Sequence, residues 1–221
     1  MGYAGELRAE PVKQLIKLLR RQHAQIRCFE HTVNETKGVL NSCLMKFEKG
    51  EMDKFGTVEY FVSRNYTHSE ILTLINALEN DIETKLNIKI LSTPDYSDPT
   101  LHQFNIDIRD YSSYIKKFIS YTYEDSLNKD VDSINAIFRL RKGHQSTTLE
   151  KSKAIFVTNN HTLVRVVSDK FYTEYHNSQF FPPLISDYVL ATLLWIKNPD
   201  TETDLPNKLI VTNCLAAVEP S

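Results

Sequence analysis

Carboxylate and amide side chains follow the predicted strands of this chain, at the ends where ligands bind in open parallel sheets. A first predicted strand leads into Glu35, and a later one leads directly into the segment Thr158–Asn160. Asp130 and Asp132 are predicted to start the helix before that later strand. Carboxylate and amide oxygens without a basic neighbour suit a hard divalent cation such as Mg²⁺. Such a cation would activate water and stabilise phosphoryl charge during phosphodiester hydrolysis.

Each of these residues also suits a structural role. Glu35 would then be a solvated acid early in its helix, and Asp130 and Asp132 would be acids that stabilise a helix N-terminus. Residues 158–160 would form a turn in which Thr158 or Asn160 caps the next helix. The clustering of these residues, and no one of them alone, favours the functional interpretation.

Composition narrows the class of protein. The chain has 221 residues, which suits one good hydrophobic core. Its 26 basic and 28 acidic residues give a net charge of −2, which does not favour nucleic acid but leaves room for a local basic patch. The sequence has no glycine-rich phosphate loop, no dinucleotide fingerprint, no glycine-flanked serine and no histidine pair at metal-ligand spacing.

The cysteines and the apolar runs predict a soluble cytoplasmic protein. Cys28, Cys43 and Cys214 are odd in number and far apart, which indicates reduced, buried thiols instead of disulfides or a zinc site. Residues 1–10 contain no apolar core of a signal peptide. The longest apolar run, 188–196, is too short to span a bilayer.

Apolar periodicity predicts helices that alternate with short strands. The predicted helices are 12–20, 31–50, 67–86, 106–121, 126–141, 162–175, 187–197 and 206–218. The predicted strands are 26–29, 88–91, 154–158 and an edge strand at 181–185, and 92–100 is a predicted loop. The continuous apolar run at 154–158 is typical of a strand buried on both faces. This alternation predicts an α/β fold with a short parallel sheet between helices.

Three segments resemble the PIN-like domain family. Residues 26–35 (IRCFEHTVNE) resemble its second acidic segment, in which a strand is followed by a helix that carries a glutamate. Residues 132–137 (DSINAI) resemble its later helix with an aspartate and small residues, and residues 154–163 (AIFVTNNHTL) resemble its next strand. The resemblance implies a Rossmann-like three-layer sandwich that forms a single domain over residues 1–221. Within that domain, 50–125 would be a mostly helical insertion and 176–221 a helical extension.

The same resemblance implies an activity. Active PIN-like domains are endoribonucleases that hold Mg²⁺ or Mn²⁺ with three or four acidic residues. Matched by position, Glu35 and Asp132 would be catalytic, metal-binding carboxylates, and Asp187 would be a further metal ligand. Asn160 stands where the family has its last aspartate and would orient the substrate or a metal-bound water. The remaining candidates would contact RNA: Thr158, Asn159, Arg139, Arg141 and Lys142.

The chain departs from the family at its start. PIN-like domains begin with a central strand that ends in the first metal-binding aspartate, and residues 1–7 contain no such strand. The native protein is therefore expected to begin upstream, or this chain to be a fragment, with another segment or a partner chain covering the open sheet position. The alternative function is a catalytically inactive PIN-like module that binds RNA or protein. A third hypothesis is a scaffold that dimerises through helices around Trp195 and Leu215.

Overall fold

A computed structural model of the protein describes residues 6–53, 56–92 and 98–197. The helices are α1 (Glu6–Arg21), α2 (Glu30–Lys49), α3 (Thr57–Ser63), α4 (His68–Asn76), α5 (Leu78–Thr84), α6 (Ile108–Lys116), α7 (Glu124–Arg141), α8 (His161–Tyr175) and α9 (Asp187–Lys197). The strands are β1 (Arg27–Phe29), β2 (Lys89–Leu91), β3 (Phe156–Thr158) and β4 (Leu184–Ser186), and a 3₁₀ helix spans Pro99–Phe104. The chain divides into an N-terminal unit of residues 1–91 with 191–221, and a central unit of residues 92–190.

Helices and short parallel strands confirm the α/β class in its coarse form. In the N-terminal unit β1 pairs in parallel with β2, and Arg27 lies opposite Lys89. In the central unit β3 pairs in parallel with β4, and Thr158 lies opposite Ser186. Within the described residues each of these sheets has two strands. The Rossmann-like three-layer arrangement and the single domain over residues 1–221 stay predictions.

The N-terminal unit is built around α2, whose apolar residues recur at helical spacing. Val33, Leu40 and Leu44 are buried on one face of α2 and pack with buried residues of α3, α4 and α5. Cys43 is buried in the same core, whereas Cys28 of β1 is only partly buried; both are free thiols. Burial raises the pKa of both thiols, which keeps them protonated and unreactive at neutral pH.

Thr67 caps α4 through a capping box, which the residue types and spacing of Thr67-His68-Ser69-Glu70 indicate. The Glu70 backbone N–H donates to Thr67 Oγ1 over 3.3 Å, and the Thr67 backbone N–H donates to Glu70 Oε2 over 2.8 Å. We expect Thr67→Ala to lower the free energy of unfolding by about 1 kcal/mol, because a helix N–H loses its acceptor. Urea denaturation followed by circular dichroism would measure this loss.

Thr73→Ala in the same helix is the matched control for this prediction. The Thr73 hydroxyl donates to the Ser69 carbonyl within the helix and caps nothing. Alanine has the higher helix propensity, so Thr73→Ala should leave stability unchanged or slightly increased. Equal losses for the two variants would contradict the assignment of the cap.

Several predicted boundaries shift in the structure. The helix predicted at 67–86 is divided into α4 and α5 at Ala77, and the unassigned stretch before Thr67 contains α3. The helix predicted at 126–141 begins two residues earlier, at Glu124, and the one predicted at 106–121 is the shorter α6. Residues 93–97 of the predicted loop and the predicted helix at 206–218, with Cys214 and Leu215, lie outside the described residues.

In the central unit, the strand that was predicted to be buried is partly exposed, and the strand that was predicted to lie at an edge is buried. Val157 at the middle of β3 is 39% exposed, whereas the predicted edge strand β4 has Leu184, Ile185 and Ser186 all buried. The core of this unit consists of apolar residues from α6, α7 and α8 with Leu184. An apolar run indicates a strand but not which strand the helices cover, so the prediction that β3 is buried on both faces was wrong.

Helix length and polarity also bear on membranes. Among residues 6–53, 56–92 and 98–197, no helix combines the length and the apolar character that crossing a bilayer requires.

Candidate functional site at the carboxyl ends of β3 and β4

The central unit brings one group of the predicted site residues together. Because β3 and β4 are parallel and Thr158 lies opposite Ser186, the residues that follow each strand emerge at the same edge of the sheet. Asn159 and Asn160 follow β3, and Asp187 follows β4. Helices α8 and α9 begin at this edge, so their N-terminal backbone N–H groups lie near it. We call these residues, Thr158 to Asn160 with Ser186 and Asp187, the strand-end cluster.

The side chains of the strand-end cluster serve mainly as helix caps. Asn160 Oδ1 accepts the Leu163 backbone N–H over 3.0 Å, which makes Asn160 the N-cap of α8. The Ser186 hydroxyl oxygen accepts the Val189 N–H over 3.2 Å at the start of α9. The structural alternative for Asn160 is thus confirmed, and its side-chain oxygen is engaged by the helix end.

Two further contacts tie the cluster to its own backbone. The Asn160 backbone N–H donates to Thr158 Oγ1 over 3.1 Å, and the Tyr188 N–H donates to Asp187 Oδ1 over 2.7 Å. Asn159 is exposed, and Asp187 is partly buried at the first position of α9. The cluster therefore presents one carboxylate, one exposed amide and the ends of two helices.

Asp130 and Asp132 lie within α7 and not at its start. The helix begins at Glu124, so the prediction that these two acids open it was wrong. Asp130 Oδ2 accepts the Tyr121 hydroxyl over 2.7 Å. Burial, and then this hydrogen bond, raise the pKa of Tyr121. This hydrogen bond joins Asp130 of α7 to the preceding loop.

Asp132 is partly buried on the side of α7 that faces the segment after the 3₁₀ helix. Asn135 and Arg139, three and seven residues further along α7, lie on the same side as Asp132. Asn135 Oδ1 accepts the Ile106 N–H over 3.0 Å, and Arg139 Nη1 donates to Asn105 Oδ1 over 2.7 Å. These hydrogen bonds join this side of α7 to the segment after the 3₁₀ helix.

Glu35 belongs to the other unit. It is exposed on α2, in the second turn, within the N-terminal unit. Asp132, Asn160 and Asp187 all belong to the central unit. Neither unit, taken by itself, assembles the predicted set of ligands.

The described residues do not assemble a three-ligand site of the kind predicted for Mg²⁺ or Mn²⁺. Across residues 6–53, 56–92 and 98–197, no three side chains of histidine, cysteine, aspartate or glutamate lie together as metal ligands. The strand-end cluster supplies a single carboxylate, Asp187, and the Asn160 oxygen caps a helix. Mg²⁺ prefers an octahedral shell of oxygens, in which proteins usually supply one or two carboxylates. The single carboxylate of the strand-end cluster is the lower limit of that range.

Two of the basic residues predicted to contact RNA are buried. Arg139 is 4% exposed and Arg141 is 2% exposed. Arg141 Nε, Nη1 and Nη2 donate to the carbonyls of Ala154, Phe181 and Pro182 over 2.8, 2.9 and 2.7 Å. Burial lowers the pKa of Arg141 to about 10, so it stays charged at neutral pH. A phosphate contact does not fit either arginine, because α7 is covered on nearly every side; Lys142, at the end of α7, is exposed.

The structure shows a basic cleft that was not predicted. Arg20 in the last turn of α1, Arg27 at the start of β1 and Lys89 at the start of β2 line a cleft of about 300 Å³ in the N-terminal unit. The amides of Gln25 and Asn87 complete its polar lining, and none of its described lining residues is acidic. The basic residues within 20–27 (RRQHAQIR) could have indicated this cleft, but the net charge of −2 for the whole chain does not show a local cluster of positive charge.

Comparison with known proteins adds no identification. No protein-family model matches the chain, and neither curated proteins nor solved structures gave a match. The PIN-like resemblance therefore stays a prediction from the residues that carry it.

Proposed function

We propose that this chain is a PIN-like module that binds RNA without cleaving it. The observation that carries this proposal is the capping role of the strand-end cluster. Asn160 and Ser186 use their side-chain oxygens to cap α8 and α9, and Asp187 alone supplies a carboxylate there. A cluster of this composition has donors for an anion, whereas its single carboxylate is fewer than the three or four acidic residues of active PIN-like domains.

Two helix ends at one sheet edge favour a phosphate-bearing ligand. The N-termini of α8 and α9 both carry backbone N–H groups and partial positive charge at the carboxyl ends of the parallel strands. Asn159 is exposed beside them and offers an amide donor. Phosphate contacts of this kind fix an RNA backbone without reading its sequence, which suits a binding module.

A metal-dependent endoribonuclease is the second candidate function. The observation that favours it is the register of β3 with β4, which places Asp187 beside the turn that contains Asn159 and Asn160. In such an enzyme Asp132 and Glu35 would supply further carboxylates, and the metal would activate a water for attack on the phosphodiester. The absence of a three-ligand cluster among the described residues weighs against it.

Location and assembly follow the same proposal. The free thiols of Cys28 and Cys43 are compatible with the reducing cytoplasm, where we place the protein. Self-association, through the helices around Trp195 or through a strand added to a two-stranded sheet, stays a prediction.

Asp187→Asn distinguishes the two candidate functions by the sign of its effect. If a phosphate lies at the helix N-termini, removing the negative charge should tighten RNA binding about two- to fivefold, because a like charge is lost beside the phosphate. If Asp187 holds a catalytic metal, the same substitution should abolish Mn²⁺-dependent cleavage. Fluorescence anisotropy with a labelled single-stranded RNA in EDTA, and gel analysis in Mn²⁺, measure the two effects.

Asp169→Asn is the matched control. Asp169 is an exposed acid of α8 that lies eight residues beyond His161, about 12 Å along the helix from its N-terminus. The Asp169→Asn substitution also removes one negative charge from the central unit, and it should leave RNA affinity almost unchanged. Weaker RNA binding by Asp187→Asn than by Asp169→Asn would contradict the proposed phosphate site.

A further inference from the structure

Like charges face each other at the amino ends of β1 and β2. Arg27 and Lys89 are register partners in parallel strands, so their side chains leave the same face of the sheet about 4.8 Å apart at the backbone. Both side chains are exposed. Like charges directly opposite each other on a sheet destabilise it, so the fold alone gives no reason for this pair.

A third cation completes the arrangement. Arg20 in the last turn of α1 lines the same cleft, and its guanidinium donates to the Leu86 carbonyl, which fixes the side chain beside the start of β2. Among the described residues, the acids closest in sequence to Arg27 and Lys89 are Glu30, at the start of α2, and Glu83, whose carboxylate accepts the Ile90 N–H over 3.5 Å. Neither acid lines the cleft. Three positive charges therefore surround one opening without an acidic partner among its described lining residues.

We propose that this cleft, lined by Arg20, Arg27 and Lys89, binds a phosphate group of an RNA backbone. Guanidinium groups match the geometry of phosphate oxygens, and lysine adds a point charge. The amides of Gln25 and Asn87 offer further donors at the rim, and an opening of about 300 Å³ accommodates a phosphate with its ester linkages. The inference rests on the proposed RNA-binding function and adds a second contact region to it.

This contact region differs from the strand-end cluster. The cleft lies at the amino ends of β1 and β2 in the N-terminal unit, whereas the strand-end cluster lies at the carboxyl ends of β3 and β4 in the central unit. Ligand sites of open parallel sheets usually lie at the carboxyl ends. The cleft is therefore assigned by its charges and not by its place in the fold.

The test is the salt dependence of RNA binding by Arg27→Gln/Lys89→Gln. Each backbone phosphate that the protein neutralises contributes about 0.7 to the slope of log K against log salt concentration for a single strand. Because the cleft holds one phosphate, the double variant should lose about 0.7 from the magnitude of that slope and bind about fivefold more weakly at 100 mM salt. Fluorescence anisotropy with a labelled oligouridylate measures both. Lys13→Gln/Lys49→Gln is the control, because it removes two exposed charges of the same unit outside the cleft and should keep the wild-type slope.

Thermal unfolding tests whether the Arg27→Gln/Lys89→Gln variant is folded. Because the substitution relieves repulsion between register partners, its Tm should stay equal to the wild-type value or rise by about 1–3 °C. Weaker RNA binding together with an unchanged or higher Tm supports the cleft, since a variant that failed to fold would lose both.

Three results would overturn the inference, in distinguishable ways. An unchanged slope in the double variant would contradict the cleft alone and leave the proposed function standing. A ¹H–¹⁵N shift of the Arg27 side chain with inorganic phosphate, but no change in the RNA slope, would assign the cleft to free phosphate instead of RNA. A wild-type protein that binds no RNA would contradict both this inference and the proposed function.

Discussion

Arg141→Met is expected to lower the free energy of unfolding by about 3–5 kcal/mol. The Arg141 guanidinium is 2% exposed and donates to the carbonyls of Ala154, Phe181 and Pro182. These carbonyls lie just before β3 and β4, so one side chain of α7 holds both strands at their amino ends. Methionine fills much of the volume but donates no hydrogen bond, which leaves these acceptors without their donor. Urea denaturation followed by circular dichroism would measure the loss.

Two companion variants identify the cause of this loss. Arg141→Lys keeps a positive charge but cannot reach three carbonyls with a planar fork of donors, so it should recover only part of the lost stability. Lys142→Gln changes the exposed neighbour and should alter stability by less than about 0.5 kcal/mol. If Arg141→Met lost no more than Lys142→Gln, the structural role of Arg141 would be wrong, and its predicted contact with RNA would become tenable again.

Lys170→Met is expected to lower the free energy of unfolding by about 2–3 kcal/mol. The Lys170 side chain is 9% exposed, and its ammonium contacts the carboxylates of Asp110 and Glu174. It also lies 4.8 Å from the centre of the Tyr111 ring and 5.2 Å from that of Tyr114. The Tyr111 hydroxyl donates to Glu174 over 2.7 Å, so the ammonium, two acids and two rings tie α6 to α8. Equilibrium urea denaturation at neutral pH gives the magnitude.

The pH dependence of the same variant tests the role of the charge. Burial acts to lower the pKa of Lys170, but hydrogen bonds to Asp110 and Glu174 outweigh it, and the pKa is raised. A lysine whose pKa is raised by folding stabilises the protein below its unfolded pKa of about 10.4, and this contribution is lost as pH rises through the folded pKa. The stability difference between wild type and Lys170→Met should therefore be constant from about pH 6 to 9 and shrink above about pH 10.4. A difference that persists undiminished into that alkaline range would indicate lost packing and not lost charge.

Local patterns predicted several of the helices closely. The capping box at Thr67 and Glu70 is present, α9 has the predicted bounds, and α8 begins one residue before the predicted start. These features depend on residues a few positions apart, which a sequence displays directly. The division of α4 from α5 at Ala77 was missed because neither glycine nor proline marks it.

The partners of buried polar residues could not be predicted in the same way. From the sequence, Arg141 is a basic residue at the C-terminus of a predicted helix, a position where a solvated side chain is common. Its acceptors lie 13, 40 and 41 residues away along the chain. The exchange of exposure between β3 and β4 has the same origin, because burial of a strand depends on helices that pack from elsewhere.

The sequence predicted only part of the candidate site, because the positions of some of its residues also depend on tertiary structure. The turn at 158–160 and Asp187 lie together because parallel strands align their carboxyl ends, which is a rule of topology. Asp132 and Glu35 were expected at the same site because they lie close in sequence to predicted strands, but the structure places one inside α7 and the other on α2 of the N-terminal unit. The basic cleft was missed because Arg27 and Lys89 are separated along the chain and meet only through the register of β1 with β2.

The most direct test of RNA binding without cleavage measures binding and cleavage of one labelled RNA in the same samples. The full chain is titrated into the RNA while anisotropy is recorded with Mn²⁺ and with EDTA, and each sample is then resolved on a denaturing gel after prolonged incubation. The proposed function predicts saturable binding in both conditions, a salt-dependent affinity and intact RNA throughout. Mn²⁺-dependent cleavage that Asp187→Asn abolishes would contradict it and establish the ribonuclease.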